Sequence, residues 1–493
     1  MTEKKTSRHE DVANRIVSLI AEGAYKVGDR IPSLRELADS LRVSVNTVRE
    51  AYAHLEERRY IEARSQSGYF VLNRPEVARL GEPHPATMDP DRVSLCRIYC
   101  AYQELGTAPE DACGLGIATL AQDMWPLERL QKATVDAVRL RGSEALHYQL
   151  GPGYGPLREQ IAITGLSGGS RLSPDEIIVT SGCQEAIYLA LSVITRPGDT
   201  VAVESPIYFN LLKLMEHLGL KVLEIPCSPV DGMHIETLRF ALDQYDVKAV
   251  LTIANYHNPT GSLMPDGRKE ELVSMLSRRG IPLIEDDIYG ELCFSGERPR
   301  TCQSFDRDGT VLLCSSFSKT ISPGLRIGWI SPGRWRREIE ELKTLINLGS
   351  SSIPQIATAL LLQDGGFQRH VRRLRSSLRE KMSALRAATL EHFPEGTVAS
   401  DPAGGMVLWV ALPDGKNTRE LYKRALERDI VIAPGSMFSL QGRFSSMLRL
   451  NAGVWGPATA GRIAELGSLA ADLPGSGSSA AGSAGAGTEG KAV

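Results

Sequence analysis

From about residue 113 to residue 470, short runs of apolar and β-branched residues alternate with longer stretches of helical pattern. The run "TVLLCSS" (310–316) is typical, because it holds only apolar and small residues, as a strand buried on both faces does. Strands that alternate with helices form a mostly parallel sheet covered by helices. This pattern predicts a large α/β domain, and ligands of such sheets bind beyond the carboxyl ends of the strands.

The rest of the 493-residue chain has a different composition in each part. Residues 1–74 are dense in short helical patterns and carry 13 Lys/Arg against 11 Asp/Glu, so that we expect a separate small domain there. Residues 75–112 begin with a Pro-rich polar stretch and predict a linker. Residues 471–493 are rich in Gly, Ala and Ser, and we expect this tail to be disordered.

Several classes of protein are disfavoured by what the sequence lacks. The first ten residues are charged, without the apolar core of a secretory signal, and no apolar run approaches the ~20 residues that span a bilayer. The eight cysteines include no C-x-x-C pair and no metal-like spacing with His, which favours free thiols in a reducing compartment and predicts no metal site. We therefore expect a cytoplasmic protein without a membrane segment.

The amino-terminal region carries strong signals of helix starts. Ser33 and Glu36 have the spacing of a capping box, and Ser44 is expected to cap a second helix. In the second helix one apolar face is expected to be buried, comprising Val45, Val48, Tyr52 and Leu55. The opposite face carries Asn46, Thr47, Arg49 and Glu50, and small polar and cationic side chains at the start of a second helix suit base edges and phosphates.

Two alternating segments follow the second helix. Residues 60–63 and 69–72 alternate in polarity around "RSQSG" and predict a winged hairpin. Taken alone, the helix pair could equally be a small helical cap whose polar face is solvated and binds no DNA.

The order helix, helix, capped helix, wing resembles the GntR-type winged helix. The resemblance is carried by the wording "IPSLRELADSLRVSVNTVREAYAHL…SGYFV" and includes Gly28, Pro32 and Gly68. Arg59 departs from it, because a glycine often ends the recognition helix at that position. The resemblance implies binding of double-stranded DNA through Arg35, Ser44, Asn46, Thr47 and Arg49.

Lys319 lies just past the carboxyl end of the predicted strand 310–316. A lone lysine after serine is usually a solvated surface residue, but at a strand end its amine can form a Schiff base with an aldehyde cofactor. Ser316, Ser318 and Arg326 offer hydroxyl and guanidinium donors suited to a phosphate. An aldehyde anchor beside a phosphate clamp predicts pyridoxal 5'-phosphate.

Other predicted strand ends offer the remaining groups that this cofactor needs. Asp286 could face the pyridine nitrogen, Asn258 could donate to the ring hydroxyl, and Tyr208 could stack on the ring. Each has a plainer alternative when taken alone. Asp286 could cap a helix, Asn258 could belong to an ordinary turn, and Tyr208 could be a core aromatic. Backbone N–H groups for the phosphate are expected at a helix start formed by Gly182, Cys183 and Gln184.

Arg449 lies on a late predicted strand, "SMLRLNAG", where it could hold a substrate carboxylate in bidentate fashion. An isolated arginine in such a position would otherwise form a surface salt bridge.

Together these motifs resemble, in their order along the chain, a fold-type I aminotransferase of the kynurenine/α-aminoadipate kind, over about 113–470. The order is Gly182-Cys183-Gln184, Tyr208, Asn258, Asp286 with Tyr289, Ser316-x-Ser318-Lys319, Arg326 and Arg449. The resemblance implies an α/β domain with a small carboxyl-terminal α+β subdomain. It also implies that Tyr148, in "LHYQLGPGYG", reaches the phosphate of a partner subunit.

Behind a GntR-type winged helix, this domain is similar to the MocR/GabR subfamily of transcriptional regulators. That similarity implies a domain-swapped homodimer with two cofactor sites at its interface. Cys183 departs from the pattern, since Ser or Thr is usual there and a thiol is a poorer hydrogen-bond partner, so we expect weaker phosphate binding.

Two functions follow from these observations. In the first, the protein is a transcriptional regulator in which a small amino compound forms an external aldimine with the cofactor. In the second, it is an active aminotransferase with an accessory DNA-binding domain, which the complete set of Asn258, Asp286, Lys319 and Arg449 favours. The sequence does not identify the effector, the operator or the direction of regulation.

Overall fold

The computed structural model describes residues 25–71 except 26–27, 42, 58–59 and 65–67, residues 113–475 except Ser295, and also Val12, Ala13, Ile16 and the backbone of 91–92. The chain divides into two units, Met1–Val77 and Ala78–Val493. Arg59, the linker apart from 91–92 and the tail from residue 476 lie outside the described residues, so the expectations for them remain predictions.

The amino-terminal unit contains two capped helices, α1 (Leu34–Leu41) and α2 (Val45–Glu57). Ser33 N donates to Glu36 Oε2 over 2.7 Å and Glu36 N to Ser33 Oγ over 3.4 Å, which confirms the capping box before α1. Thr47 N donates to Ser44 Oγ over 3.1 Å and confirms the cap of α2.

The inner face of α2 is mostly as predicted. Val48, Tyr52 and Leu55 are fully buried, whereas Val45 is 38% exposed, so that its expected burial is wrong. Val45 is the first residue of the helix and lies at the edge of the face that packs inward. The core of the unit also includes Val12, Ala13, Ile16 and Ile31.

A hairpin completes the amino-terminal unit, with β1 (Ile61–Arg64) antiparallel to β2 (Gly68–Val71). The segment before α1 lies along β2, since Gly28 N donates to Val71 O over 2.9 Å and Ile31 N to Tyr69 O over 3.0 Å. The predicted wing is present in the described residues, with strand bounds one residue from those expected.

The second unit is organised around a large mixed sheet with the order β3-β6-β5-β8-β9-β10-β11-β4, with β7 paired to β6. Strands β5, β6, β8, β9 and β10 are parallel, and β11 runs antiparallel between β10 and β4. The strands are β3 (Asp91–Arg92), β4 (Ile178–Thr180), β5 (Thr200–Ser205), β6 (Lys221–Ser228), β7 (Gly232–Met233), β8 (Val247–Thr252), β9 (Leu283–Asp286), β10 (Val311–Ser316) and β11 (Gly328–Ser331).

Helices cover both faces of this sheet, so that the central strands are buried throughout. One apolar cluster includes Val179, Leu313 and Ile356, and another includes Ala202, Leu238 and Leu272. The helices of this part are α3 (Leu127–Arg141), α4 (Gly155–Gly165), α5 (Cys183–Ile194), α6 (Phe209–His217), α7 (Ile235–Gln244), α8 (Asp266–Arg279), α9 (Arg336–Asn347) and α10 (Ser352–Gln363).

A smaller antiparallel sheet follows, with the order β12-β13-β15-β14. Its strands are β12 (Val398–Ala399), β13 (Val407–Ala411), β14 (Ala433–Pro434) and β15 (Met447–Asn451), and its helices are α11 (Gly366–His392), α12 (Thr418–Leu426) and α13 (Pro457–Ala471). This sheet and its helices form the small α+β subdomain, and Leu385, Leu408 and Leu466 share its core. Beyond α13, Leu473 is still buried.

Within the described part of the chain, no helix combines the length and the apolar composition that a membrane crossing requires.

Candidate functional site

Four consecutive strands of the large sheet, β9, β10, β11 and β4, bring predicted cofactor residues to one edge. Ser316 pairs with Gly328, and Gly328 pairs in turn with Thr180, so that the ends of β10 and β4 flank the start of β11. On the other side of β10, Cys314 pairs with Asp286 at the end of β9. This register places the polar residues that follow β4, β9 and β10 at the same edge, where open α/β sheets bind ligands.

Lys319 is half-buried in the turn that follows β10. Its Nζ donates to the backbone carbonyl of Ala118 over 2.6 Å. Desolvation, with the Arg449 guanidinium as a second cause, lowers the pKa of Lys319 to about 8, while Asp286 acts in the opposite direction. A larger fraction of this amine than of an ordinary lysine is therefore neutral and nucleophilic near neutral pH.

Asp286 is buried at the end of β9, where its Oδ1 accepts a hydrogen bond from the Cys183 thiol at 3.2 Å. Desolvation raises the pKa of Asp286 to about 6, and the bond from Cys183 opposes this rise. The adjacent Asp287 faces other partners, since it pairs with Arg298 and accepts from Asn255 Nδ2 over 2.8 Å. Of the two acids, Asp286 is the one placed to meet a cation in the site.

A chain of side chains links the Asn258 turn to the small subdomain. Arg449 Nη1 on β15 donates to Asn258 Oδ1 over 2.6 Å, and Asn258 Nδ2 lies 3.4 Å from Tyr289 Oη. Arg449 is only 2% exposed, and its Nε has no hydrogen-bond partner among the described residues. Burial lowers the pKa of Arg449 and raises that of Tyr289. A buried, incompletely satisfied guanidinium is suited to a carboxylate.

The turn at Asn258 is held by its neighbour His257. His257 Nδ1 is 2.9 Å from Thr260 Oγ1, and its Nε2 is 3.2 Å from the carboxylate of the buried Glu204. Glu204 also accepts from Ile253 N over 2.7 Å. Tyr208, at the start of α6, is half-buried, and its hydroxyl accepts from Asn210 Nδ2 over 2.8 Å.

The start of α5 and Arg326 form a second polar corner. Gly182 precedes the helix with φ of 96°, and a Cβ at that position would lie 2.4 Å from Arg326 Nη2. Arg326 is exposed, and Nη2 donates to Ser181 O over 2.7 Å. The helix start therefore presents backbone N–H groups beside a guanidinium, which is an arrangement that binds phosphate.

The remaining predicted members of this corner differ in their positions. Gln184 is exposed, and Ser318 is half-buried with its backbone N–H donating to the buried Ser316 Oγ over 3.3 Å. The Cys183 side chain is buried and bonded to Asp286. Its backbone N–H thus remains the part of Cys183 suited to a phosphate.

Sequence reasoning missed the segment 113–121, which crosses the site. The carbonyl of Gly116 accepts from Arg449 Nη2 over 2.5 Å, and that of Ala118 accepts from Lys319. Only a residue without a side chain fits at position 116, because a Cβ there would lie 2.3 Å from the backbone of Ile432. Since backbone carbonyls are the same in every residue, Gly116 was the only signal in the sequence.

Among the described residues, Tyr148 forms no hydrogen bond with these groups, and it is 75% exposed. Its neighbours Leu146 and Leu150 are exposed as well, as are Leu345 and Leu348 at the end of α9. The two segments adjoin, because a Cβ on Gly349, which follows Leu348, would lie 2.3 Å from Gln149 O. We call Leu146, Tyr148, Leu150, Leu345 and Leu348 the apolar face; apolar surface of this kind is typical of a protein interface.

In the amino-terminal unit, the predicted DNA contacts lie at the surface. Arg35 on α1 and Ser44, Asn46 and Arg49 at the start of α2 are exposed or half-buried, as is Thr47. Arg49 Nη1 donates to Asn46 Oδ1 over 3.3 Å, so that these two side chains are positioned together. The surface at the start of α2 is polar and hydrogen-bonding, as major-groove readout requires.

The site of the large unit fits pyridoxal 5'-phosphate on its own chemistry. Lys319 has the lowered pKa that an aldehyde anchor needs, and Asp286 is a buried carboxyl whose ionised form would be stabilised by a pyridinium. Arg326 with the start of α5 would receive the phosphate. The pyridinium end of the cofactor would thereby face the acidic Asp286, and its phosphate end would face the cationic Arg326.

Comparison with known families assigns both units. The family "Aminotransferase class I and II" matches residues 112–458, a range that includes every predicted cofactor residue described above. The chain belongs to this family. The family "Bacterial regulatory proteins, gntR family" matches residues 8–71. The chain is therefore a transcriptional regulator with a GntR winged helix and an aminotransferase-like domain, as the sequence predicted.

Individual relatives agree with both assignments. The uncharacterized HTH-type transcriptional regulator YjiR of Escherichia coli K12 is 36% identical over 90% of this chain and 94% of its own length. The kynurenine aminotransferase of Pyrococcus horikoshii, solved with PMP, has a TM-score of 0.70 and 28% identity over 80% of this chain and 98% of its own. LysN, the α-aminoadipate aminotransferase of Thermus thermophilus, has a TM-score of 0.69 and 28% identity over 75% and 94%. These structures confirm the fold-type I aminotransferase fold.

Proposed function

We propose that this protein is a pyridoxal 5'-phosphate-dependent regulator of the MocR/GabR subfamily that senses a small amino compound at Lys319. The observation that carries the proposal is the Lys319 amine, whose pKa is lowered to about 8 at a strand end that also presents Asp286. A winged helix in the same chain gives this site a regulatory use, because an aminotransferase gains nothing obvious from a tethered DNA-binding domain.

The cofactor supplies an aldehyde carbon at which primary amines exchange reversibly. Lys319 would anchor that carbon, Asp286 would keep the ring nitrogen protonated, and Asn258 would donate to the ring hydroxyl. An effector amine would compete with Lys319 for the same carbon. Tyr208 lies close enough to Arg449 and Tyr289 to influence the pKa of both, and it completes the ring environment.

Arg449 defines the other end of the effector. Its buried guanidinium has an Nε without a hydrogen-bond partner among the described residues, and a carboxylate would satisfy that donor. The effector class is therefore an amine that also carries a carboxylate, such as an α- or ω-amino acid.

The DNA side of the function rests on the start of α2. Arg49 and Asn46 are exposed there, and Arg35 is exposed on α1. We assign Arg35, Ser44, Asn46, Thr47 and Arg49 to the contact with double-stranded DNA, with α2 in the major groove. Because its target is chromosomal DNA, we place the protein in the cytoplasm.

We assign the apolar face to a homodimer, in which Tyr148 reaches the phosphate corner of the partner subunit. The support is the exposure of Leu146, Tyr148 and Leu345, which are 77%, 75% and 83% exposed, respectively. Side chains of this size are stabilised when an interface removes them from water. Domain swapping of the winged helices belongs to the same proposal.

An active aminotransferase is the second candidate, and the contact of Arg449 with Asn258 favours it. That contact joins a carboxylate receptor to a cofactor ligand, as turnover of an amino acid would require. Steady transfer between an amino donor and a keto acid at about 1 per second or faster would support this candidate.

A screen of amines and amino acids on the full chain tests the proposal. Visible absorbance and DNA affinity are measured on the same samples, with duplexes selected from a random library by the protein itself. We expect one class of amino compound to change both signals over the same concentration range. The sensing role would be rejected if every compound that shifts the absorbance to completion leaves the DNA affinity unchanged.

A further inference from the structure

Residues 113–121, which we call the strap, lie between the small subdomain and Lys319. The strap is tied to the small subdomain along its length. Gly116 N donates to Val431 O over 2.6 Å, and Val431 N donates to Cys113 O over 3.0 Å. Further on, Ala121 N donates to Gly453 O over 3.0 Å.

Side chains of β15 hold the carbonyls of the strap as well. Asn451 Nδ2 donates to Ile117 O over 2.6 Å and to Thr119 O over 2.7 Å. Arg449 Nη2 donates to Gly116 O. Three carbonyls of the strap thus bond to side chains of the small subdomain.

The carbonyl of Ala118 has a different partner. It accepts from Lys319 Nζ over 2.6 Å, and Lys319 follows β10 of the large sheet. This one bond therefore connects the strap, and through it β15, to the cofactor edge of the large sheet.

The bond from Lys319 to Ala118 depends on the covalent state of the lysine nitrogen. A free ammonium has three N–H donors, and a neutral amine has two. A nitrogen double-bonded to the cofactor carbon would keep at most one, and its direction would be set by that double bond. The released Lys319 amine is therefore the form that is free to turn toward Ala118.

We propose that the Ala118 carbonyl is the position that receives the Lys319 amine when an effector displaces it, and that this bond transmits effector binding to the strap. The inference rests on the proposed function. In the displacement, the effector amine forms its bond to the carbon as the bond from that carbon to Lys319 breaks. The two amine hydrogens pass to Nζ, with no net oxidation or reduction.

The strap is well placed to carry such a signal. Cys113 is its first residue and directly follows the predicted linker 75–112 that leads from the winged helix. A bond that fixes the strap to the large sheet would therefore act on the chain at the point where the predicted linker ends. A carboxylate on Arg449 would act on the same strap, since Arg449 also holds Gly116.

Hydrogen exchange of strap peptides in the full chain tests the inference. Three states are compared: cofactor-free, loaded with pyridoxal 5'-phosphate, and loaded in the presence of an amine that shifts its visible absorbance. We expect slow exchange in the first state, about tenfold faster exchange in the second, and slow exchange again in the third. In Lys319→Met the cofactor-free strap should exchange at the fast rate.

Lys343→Met is the matched control, because Lys343 Nζ also donates to a backbone carbonyl, that of Gly151, over 2.9 Å. It should leave strap exchange at the wild-type rate in all three states. Equal strap exchange in the three wild-type states, with the absorbance change present, would overturn the inference and leave the proposed function standing. If no amine changes the visible absorbance of the loaded protein, both this inference and the proposed function are overturned.

Discussion

The Cys183 thiol donates a hydrogen bond to Asp286 Oδ1 over 3.2 Å, which joins the start of α5 to the end of β9 beneath the cofactor edge. Burial raises the pKa of Cys183 well above its ordinary value, so that the thiol stays protonated and remains a donor. Burial also raises the pKa of Asp286 to about 6, and the thiol bond limits that rise. Cys183 would therefore act on bound pyridoxal 5'-phosphate through Asp286.

Replacement of Cys183 should change the pH dependence of cofactor binding. Cys183→Ala removes the donor, so the pKa of Asp286 rises and the affinity for pyridoxal 5'-phosphate at neutral pH falls by about tenfold. Cys183→Ser keeps a donor to Asp286. As the pH is lowered, its affinity for pyridoxal 5'-phosphate should therefore begin to fall at a lower pH than in Cys183→Ala. Absorbance titrations between pH 5 and 8 measure both variants, and identical pH profiles for the two would contradict this role.

Lys319→Ala should abolish the visible absorbance of the lysine-bound cofactor. In the wild type, the rate of cofactor capture should rise with pH and level off above about 8, since only the neutral amine attacks and the pKa of Lys319 is lowered to about 8. An ordinary lysine would show this rise near pH 10.4, roughly its unperturbed pKa. Stopped-flow absorbance measures the rate, and Lys343→Ala should behave as the wild type.

Arg449→Met should reduce discrimination for the carboxylate of the effector. Binding of an effector amino acid should weaken by about 10- to 100-fold, because a charge-assisted pair is lost. The corresponding amine without a carboxylate provides the control, and its affinity should change little. Absorbance titration gives both constants; equal losses for the two compounds would mean that Arg449 does not recognise the carboxylate.

Arg35→Ala and Arg49→Ala should each weaken binding to a selected duplex by about 1–3 kcal/mol if the side chain reads a base. Lys423→Ala removes an exposed cation from α12 of the other unit and should leave the affinity unchanged. Fluorescence anisotropy at fixed salt is the measurement. Wild-type affinity in both arginine variants would exclude these residues from the interface.

Leu345→Lys should dissociate the proposed homodimer, because it introduces a charge into the apolar face, where Leu345 is 83% exposed. Phe240→Lys is a matched change on α7, since Phe240 is 59% exposed outside the apolar face. Analytical ultracentrifugation should show a monomer for the first variant and a dimer for the second. A dimer in both would place the interface elsewhere.

Much of the fold was predictable because its signals are local. The capping box at Ser33 and Glu36 and the cap at Ser44 depend on residues three positions apart, and both are present. The strand before Lys319 was recognisable from its own apolar run. Val45 was misjudged, because helical periodicity assigns a face but not where along that face packing begins.

The candidate site was predictable only as a set of strand-end residues. Sequence reasoning treated Cys183 as a phosphate ligand of reduced strength, and its bond to Asp286, 103 positions away, had no local signal. Likewise, the separate duties of Asp286 and Asp287 depend on Arg298 and Asn255, which approach from other turns.

By itself, the sequence determined the order of helices and strands and the chemical types at the strand ends, since both follow from short-range pattern. Only the tertiary structure decided that the carbonyls of Gly116 and Ala118 meet Arg449 and Lys319. Backbone carbonyls are chemically alike at every position, so their selection as partners depends on how distant segments pack. The role of the Lys319 amine as an anchor could be predicted from the sequence. Its hydrogen bond to the carbonyl of Ala118 could not.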